Sequence, residues 1–169
     1  MRRIVEAIDS ISDQTGKIAC WLATILVSLI ALEVIMRYFF DAPTMWNYET
    51  SQMVGGAFFA MGWAYALRHH SHVRIDVFYT RLSPRAKAGI DVFGTFFLFF
   101  PLMLMFISTS IAWTVNAWEI NEKSVETYWY PPMAPLRTVV TIGLILLALQ
   151  GVAQFVRDLR LLVRNKVYG

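Results

Sequence analysis

ALRHHSHVRIDVFYTRLSPRAK, residues 66–87, holds three histidines and five of the chain's fifteen Lys/Arg residues, and it lies between two strongly apolar stretches. A basic, histidine-rich segment has three readings: a metal site, a nucleic-acid surface, or the charged loop that orients a membrane protein. Its flanks decide among them. The chain has 169 residues, enough for one domain, and is 57% hydrophobic, 15% aromatic and only 16% charged. Soluble domains average about 25% charged. The apolar residues also gather in runs too long for a water-soluble core of this size to bury. The sequence therefore reads as an integral membrane protein.

A membrane-crossing helix needs about 20 apolar residues. Residues 18–36, IACWLATILVSLIALEVIM, meet that length. Residues 53–67, MVGGAFFAMGWAYAL, are short alone, but a helix starting near Asn47 lengthens them enough. Residues 91–112 are dense in Phe, Leu and Met and contain Pro101, and residues 139–156, VVTIGLILLALQGVAQFV, complete the set. The alternating ten-residue segments of a membrane barrel are absent. The expectation is an all-α integral membrane protein, one membrane domain over 1–169. It has four transmembrane helices near 18–38, 47–67, 90–113 and 137–156, with a basic loop at 68–89. Arg2 and Arg3 precede the first run as in a signal peptide, but Glu6, Asp9 and Asp13 intervene and no small-x-small site follows. The run reads as a retained span.

The opening stretch now has its main role. Arg2, Arg3 and Lys17 precede span one; Arg68, Arg74, Arg81, Arg85 and Lys87 lie between spans two and three; Arg157, Arg160, Arg164 and Lys166 follow span four. These twelve cations share one side, against Arg37, Lys123 and Arg137 on the other. Cations resist translocation, so the richer side, with both termini, is expected to be cytoplasmic. His69, His70, His72 and Asp76 crowd together without a distant partner to complete a metal shell. The net charge of +3 has no basic stripe outside the membrane flanks, which argues against nucleic acid. Ile75, Phe78 and Leu82 recur at helical spacing, as do Ile4, Ile8 and Ile11, and both sets suggest short amphipathic helices on the membrane surface. Ser83-Pro84 reads as an N-cap with Pro at the first helical position, so the third helix starts before its apolar part.

Ionisable groups inside a span are the first place to look for function. Glu33 is the one acid well inside an apolar run, and Arg37 follows at i+4 on the same face. A structural pair fits that spacing; the competing reading is a small homodimeric four-helix proton-coupled antiporter using Glu33. Gln52, Gly56, Ala60 and Ala64 put small residues on one face of span two, for packing within the chain or for docking another subunit. Gln150/Gln154 and Thr24/Ser28 are polar i,i+4 pairs suited to bonding between neighbouring helices. No span contains a histidine, and Cys20 is the lone cysteine, so the sequence offers neither haem ligation across a bundle nor an iron–sulfur motif. No cofactor and no enzyme activity are expected.

RYFFDAPTMWNYE, residues 37–49, and WEINEKSVETYWYPPMAP, residues 118–135, make the other side aromatic and acidic. Such aromatics suit the membrane–water boundary. EVIMRY closing span one, PTMWNYE before span two, GWAYALRHHSHVRIDV entering the basic loop, and KSVET with prolines before span four follow in order. In that arrangement the chain resembles the small membrane subunit (DctQ-like) of TRAP, or tripartite ATP-independent periplasmic, transporters. Where that family has adjacent acids after the Trp, this chain has Tyr48-Glu49. The resemblance implies a bacterial inner-membrane protein with two protein partners, a large membrane subunit and a periplasmic solute-binding protein, besides the membrane lipids. It implies sodium-coupled uptake of organic acids, such as carboxylates or sialic acid, by the large elevator-type subunit. The small one is then a non-catalytic scaffold that helps dock the binding protein. Candidate partner-interface residues are Arg37, Trp46 and Glu49 on the acidic side, Gly56 and Ala60 at a helix contact, and Arg74 and Asp76 in the basic loop.

Overall fold

The computed structural model describes residues 2–69 and 84–164. Helix α1 runs Arg2–Phe39 and α2 runs Met45–Arg68. Helix α3, Pro84–Gly94, continues through a π-helical turn, Thr95–Phe99, into α4, Phe100–Glu119. Helix α5 runs Ala134–Arg164. Among the described residues there is no strand, only an isolated bridge between Lys123 and Pro132. Three helices are long and apolar enough to cross a membrane, over Val5–Phe39, Gly89–Glu119 and Ala134–Leu162. Helix α2 has the length, but its Gly, Ala, Trp and Tyr content and polar first turns leave it without a stretch as apolar as those of the other three.

The N-terminal segment is not a separate surface helix. It is the first part of α1, 38 residues in one rod and so about 57 Å long. Between Asp13 and Ile18 the sequence holds no proline, and the helix continues through Gly16. Ser12, Thr15, Gly16 and Ala19 lie on one face and are buried, whereas Ile11 stays largely exposed. Gly16 is needed there: a Cβ would run into the ring of Tyr65 on α2. Burying that small, polar face against its neighbours outweighs laying the isoleucine stripe on a surface. The stretch around Ile75, Phe78 and Leu82 lies outside the described residues.

The helices form an open row rather than a closed bundle. Helix α2 packs on α1 and α5, and α4 packs on α5 without comparable contact to α1 or α2. Helix α5 is the common member, touching each of the others. It comes close to the α2 backbone at Gly143, where an added Cβ would stand 2.6 Å from the backbone oxygen of Ala60. Ala60 and Ala64 are almost wholly buried at this crossing. Three hydroxyls join α4 to α5: Thr141 Oγ1 lies 2.7 Å from Ser110 Oγ and 2.8 Å from Thr114 Oγ1.

The π turn follows from Pro101. A proline lacks the N–H for an i→i−4 bond and its ring crowds the carbonyl four residues back. The ladder widens just upstream, where the Phe100 N–H reaches Thr95 O. Bulges of this kind commonly absorb such a conflict. The widened turn places Phe99 where only a glycine, Gly151 of α5, leaves room for its ring. Phe100 meets Phe155 of α5 edge-on at 5.5 Å.

Candidate functional site

Polar side chains collect at the two ends of the helix row. At the Arg37 end, Glu33 Oε1 accepts from Arg37 Nη2 at 2.8 Å. Glu33 Oε2 accepts from both the backbone N–H and the hydroxyl of Thr44, just before α2. The carboxylate therefore fastens the end of α1 to the start of α2. One turn into α2, Asn47 is 1% exposed and donates to Leu29 O of α1 at 2.8 Å. It also accepts from Ser51 Oγ at 2.8 Å.

Glu49 reaches the opposite way. It is 3% exposed, and its Oε1 accepts from the Thr127 N–H at 2.8 Å and from Ser124 Oγ at 3.0 Å. It thus ties the α4–α5 connection down on α2. That connection is itself folded: Met133 N donates to Glu122 O, Ser124 N to Pro131 O, and Glu122 N to Ala117 O. The last bond closes α4 with Asn121 at φ 49°, the left-handed residue of a Schellman-type end. Arg137 of α5 pairs with Glu122 at 2.5 Å and lies 5.5 Å from the Trp113 ring centre. Glu49 Oε2 and Glu122 Oε2 are buried without a donor among the described residues. Glu49→Ala is expected to speed amide exchange at Thr127 about tenfold, the loss of about 1.4 kcal/mol of hydrogen bonding. Glu49→Gln keeps the accepting oxygen and is expected to change it little.

At the Arg68 end Asp9 of α1 is central. Its carboxylate pairs with Arg157 of α5, and Gln150 Nε2 donates to it at 3.1 Å. Arg68 of α2 donates to the Asp9 backbone oxygen and pairs with Asp13. Ser12 Oγ donates to the fully buried Gln150 at 2.8 Å. His69 sits 3.4 Å from Asp13 and 4.3 Å, centre to centre, from the Tyr65 ring. Arg68 in the last turn of α2 also complements the negative helix end.

The candidate residues read from the sequence divide accordingly. Glu49 ties the α4–α5 connection to α2, Arg37 pairs within α1 with the Glu33 that holds the start of α2, and Trp46 is exposed. Gly56 and Ala60 face α5 of the same chain, with a Cβ at Gly56 meeting Leu136 at 3.2 Å. Gln52, on the same face, donates to Glu126 at 3.2 Å. Arg74 and Asp76 lie outside the described residues. Gln150 bonds a neighbouring helix as expected, but three other polar residues do not. Gln154 donates to Asp158 of its own helix, and Thr24 and Ser28 bond back to carbonyls of α1. A hydroxyl in a span finds its own i−4 carbonyl when no partner is near. Among the described residues no group of three or more His, Cys, Asp or Glu side chains is placed to hold a metal ion.

Sequence reasoning assigns no contact between helices to Asp9, Ser12, Arg157, Thr141 or Gly143. The i, i+3, i+4 spacing of Asp9, Ser12 and Asp13, one face of a helix, is the signal that marks the first two. The family model described as "Tripartite ATP-independent periplasmic transporters, DctQ component" matches residues 26–161, well over half of the chain. Comparison with curated proteins finds no match.

Proposed function

The chain belongs to the DctQ-component family of the tripartite ATP-independent periplasmic transporters, and from that premise we propose that it is the non-catalytic scaffold of a sodium-coupled organic-acid transporter. In this reading it crosses the bacterial inner membrane four times with both termini in the cytoplasm, braces the large elevator-type subunit, and offers the Glu49 side to the solute-binding protein. The α2 span is acceptable because α1 and the α4–α5 connection take up the buried polar side chains of its first turns, Asn47 and Glu49.

One observation carries the reading. The polar side chains of Glu33, Asn47, Glu49, Asp9 and Gln150 are engaged in fastening helices or loops to one another. Meanwhile α1 and α4 turn large apolar side chains outward, Trp21, Val27 and Ile30 on one and Leu104, Met105 and Phe106 on the other. Such a molecule is rigid at its ends and apolar on its flanks, as a wall between lipid and a moving neighbour must be. Arg37 and Trp46 would meet a partner on the Glu49 side, Gly56 and Ala60 would act by keeping α2 and α5 close, and Arg74 and Asp76 would brace the basic loop by opposite charge.

Gentle solubilisation should recover the chain with a large multi-span partner; a self-contained homodimer that moves solute would reject the reading. Glu33→Gln should leave transport by the assembled complex within about threefold of the parent, since a part-exposed ion pair is worth only about 0–1 kcal/mol. Complete loss of transport with the complex still assembled would favour the antiporter.

A further inference from the structure

We propose that the groove between α1 and α2 at the Arg37 end is a binding site for one phospholipid. Its acyl chain would lie along Leu26, Ile30 and Val34, and its phosphodiester would sit at Arg37 and Tyr38. The groove is an open depression of about 480 Å³, with Tyr48, Ser51 and Gln52 of α2 forming the opposite wall. Leu26, Ile30, Val34 and Arg37 share one face of α1, so the lining changes in a single direction, from aliphatic to charged. From Leu26 to Arg37 the helix rises about 16 Å. Half of a hydrocarbon core about 30 Å thick is about 15 Å. The groove therefore runs from mid-membrane to headgroup depth within one leaflet.

The donors at its mouth suit a phosphate. Glu33 also lines the groove and offsets the charge of Arg37, but its Oε2 is taken by Thr44 and only Nη2 of Arg37 bonds Oε1, which leaves the other guanidinium N–H groups for a ligand. The Arg37 side chain is 59% exposed, and a guanidinium carries five donors. A planar fork of this kind binds phosphate oxygens in pairs. Tyr38 and Tyr48 are exposed beside it and place hydroxyls at the interface. A helix from another subunit fits this groove less well. A helix is about 10–12 Å across with its side chains, and close helix approach needs small residues. Here the walls carry Ile30, Val34, Tyr38 and Tyr48. A flexible acyl chain passes between such side chains. The inference needs α1 to cross a bilayer, does not need the transporter role, and gives Arg37 to the lipid in place of the partner contact proposed above.

The test uses the full chain in phosphatidylcholine vesicles containing a trace of phosphatidylglycerol with a photoreactive group midway along one acyl chain. After illumination, labelling is mapped by peptide mass spectrometry. Label on 26–34 is expected to exceed that on the exposed Leu104 and Met105 by about tenfold, the discrimination given by about 1.4 kcal/mol. Ile30→Trp, which fills the groove, and Arg37→Gln, which removes the headgroup contact, should each bring it down to the Leu104 level, and Arg37→Lys should retain part of the excess. Equal labelling of both faces in the unaltered chain, which requires no variant to fold, would mean bulk lipid only and overturn the proposal. Loss of groove labelling when a membrane partner is bound would assign the groove to a protein helix and overturn it as well.

Discussion

Gly143→Leu is expected to lower the unfolding temperature of the purified chain by about 6–12 °C, or to prevent its recovery. Any Cβ at this position stands 2.6 Å from Ala60 O and 2.9 Å from Ala60 C. These are backbone atoms, which cannot swing aside as a side-chain tip can, so α2 and α5 must part. Overpacking typically costs about 1–3 kcal/mol, and a branched side chain against backbone belongs at the upper end. About 3 kcal/mol corresponds to that temperature shift in a chain of this size. Gly62 supplies the internal control. Nothing lies within 4 Å of its virtual Cβ, so Gly62→Ala should stabilise by up to about 1 kcal/mol through helix propensity. Thermal unfolding in detergent gives both values, and a destabilised Gly62→Ala beside an unaffected Gly143→Leu would contradict the packing.

Asp9→Ala is the second large effect. It removes the anion that faces Arg157 and accepts from Gln150, and it leaves both on an inward-facing surface. Removing one partner of a fully buried ion pair costs about 3–5 kcal/mol. Asp9 and Arg157 are 17% and 29% exposed, so water compensates in part and about 2 kcal/mol is expected. Adding Arg157→Ala should return some of that loss, because the orphaned cation disappears with its partner. The coupling read from this double-mutant cycle should be at least about 0.5 kcal/mol. Simple additivity would show that the two side chains do not meet.

How much of this is legible in the chain depends on range. The apolar runs at 18–36, 91–112 and 139–156 announce helices because each is uniform over a membrane thickness. The Glu33–Arg37 pair is legible too, being one turn apart on one helix. Helix α2 is harder to see, since its packed face carries Asn47, Glu49, Ala60 and Ala64 and dilutes the apolar signal. The N-terminal isoleucine stripe reads as a surface helix until the other face, Ser12 and Gly16, finds Gln150 and Tyr65. Asp9 and Arg157 are 148 positions apart, and nothing local in either segment names the other. Glu49 carries a loop 75 to 78 residues downstream, a role no spacing within 37–49 reveals. The small-residue face at Gly56 and Ala60 is visible as a stripe, but the stripe alone does not say whether its partner is α5 or another chain.

Transport measured in vesicles holding only the purified polypeptide bears most directly on the scaffold reading. Neither an organic-acid gradient nor a proton gradient should drive flux above that of protein-free vesicles, and uptake should appear once the large membrane subunit and the solute-binding protein are added. Sustained uptake by this chain alone, abolished by Glu33→Gln, would contradict the account.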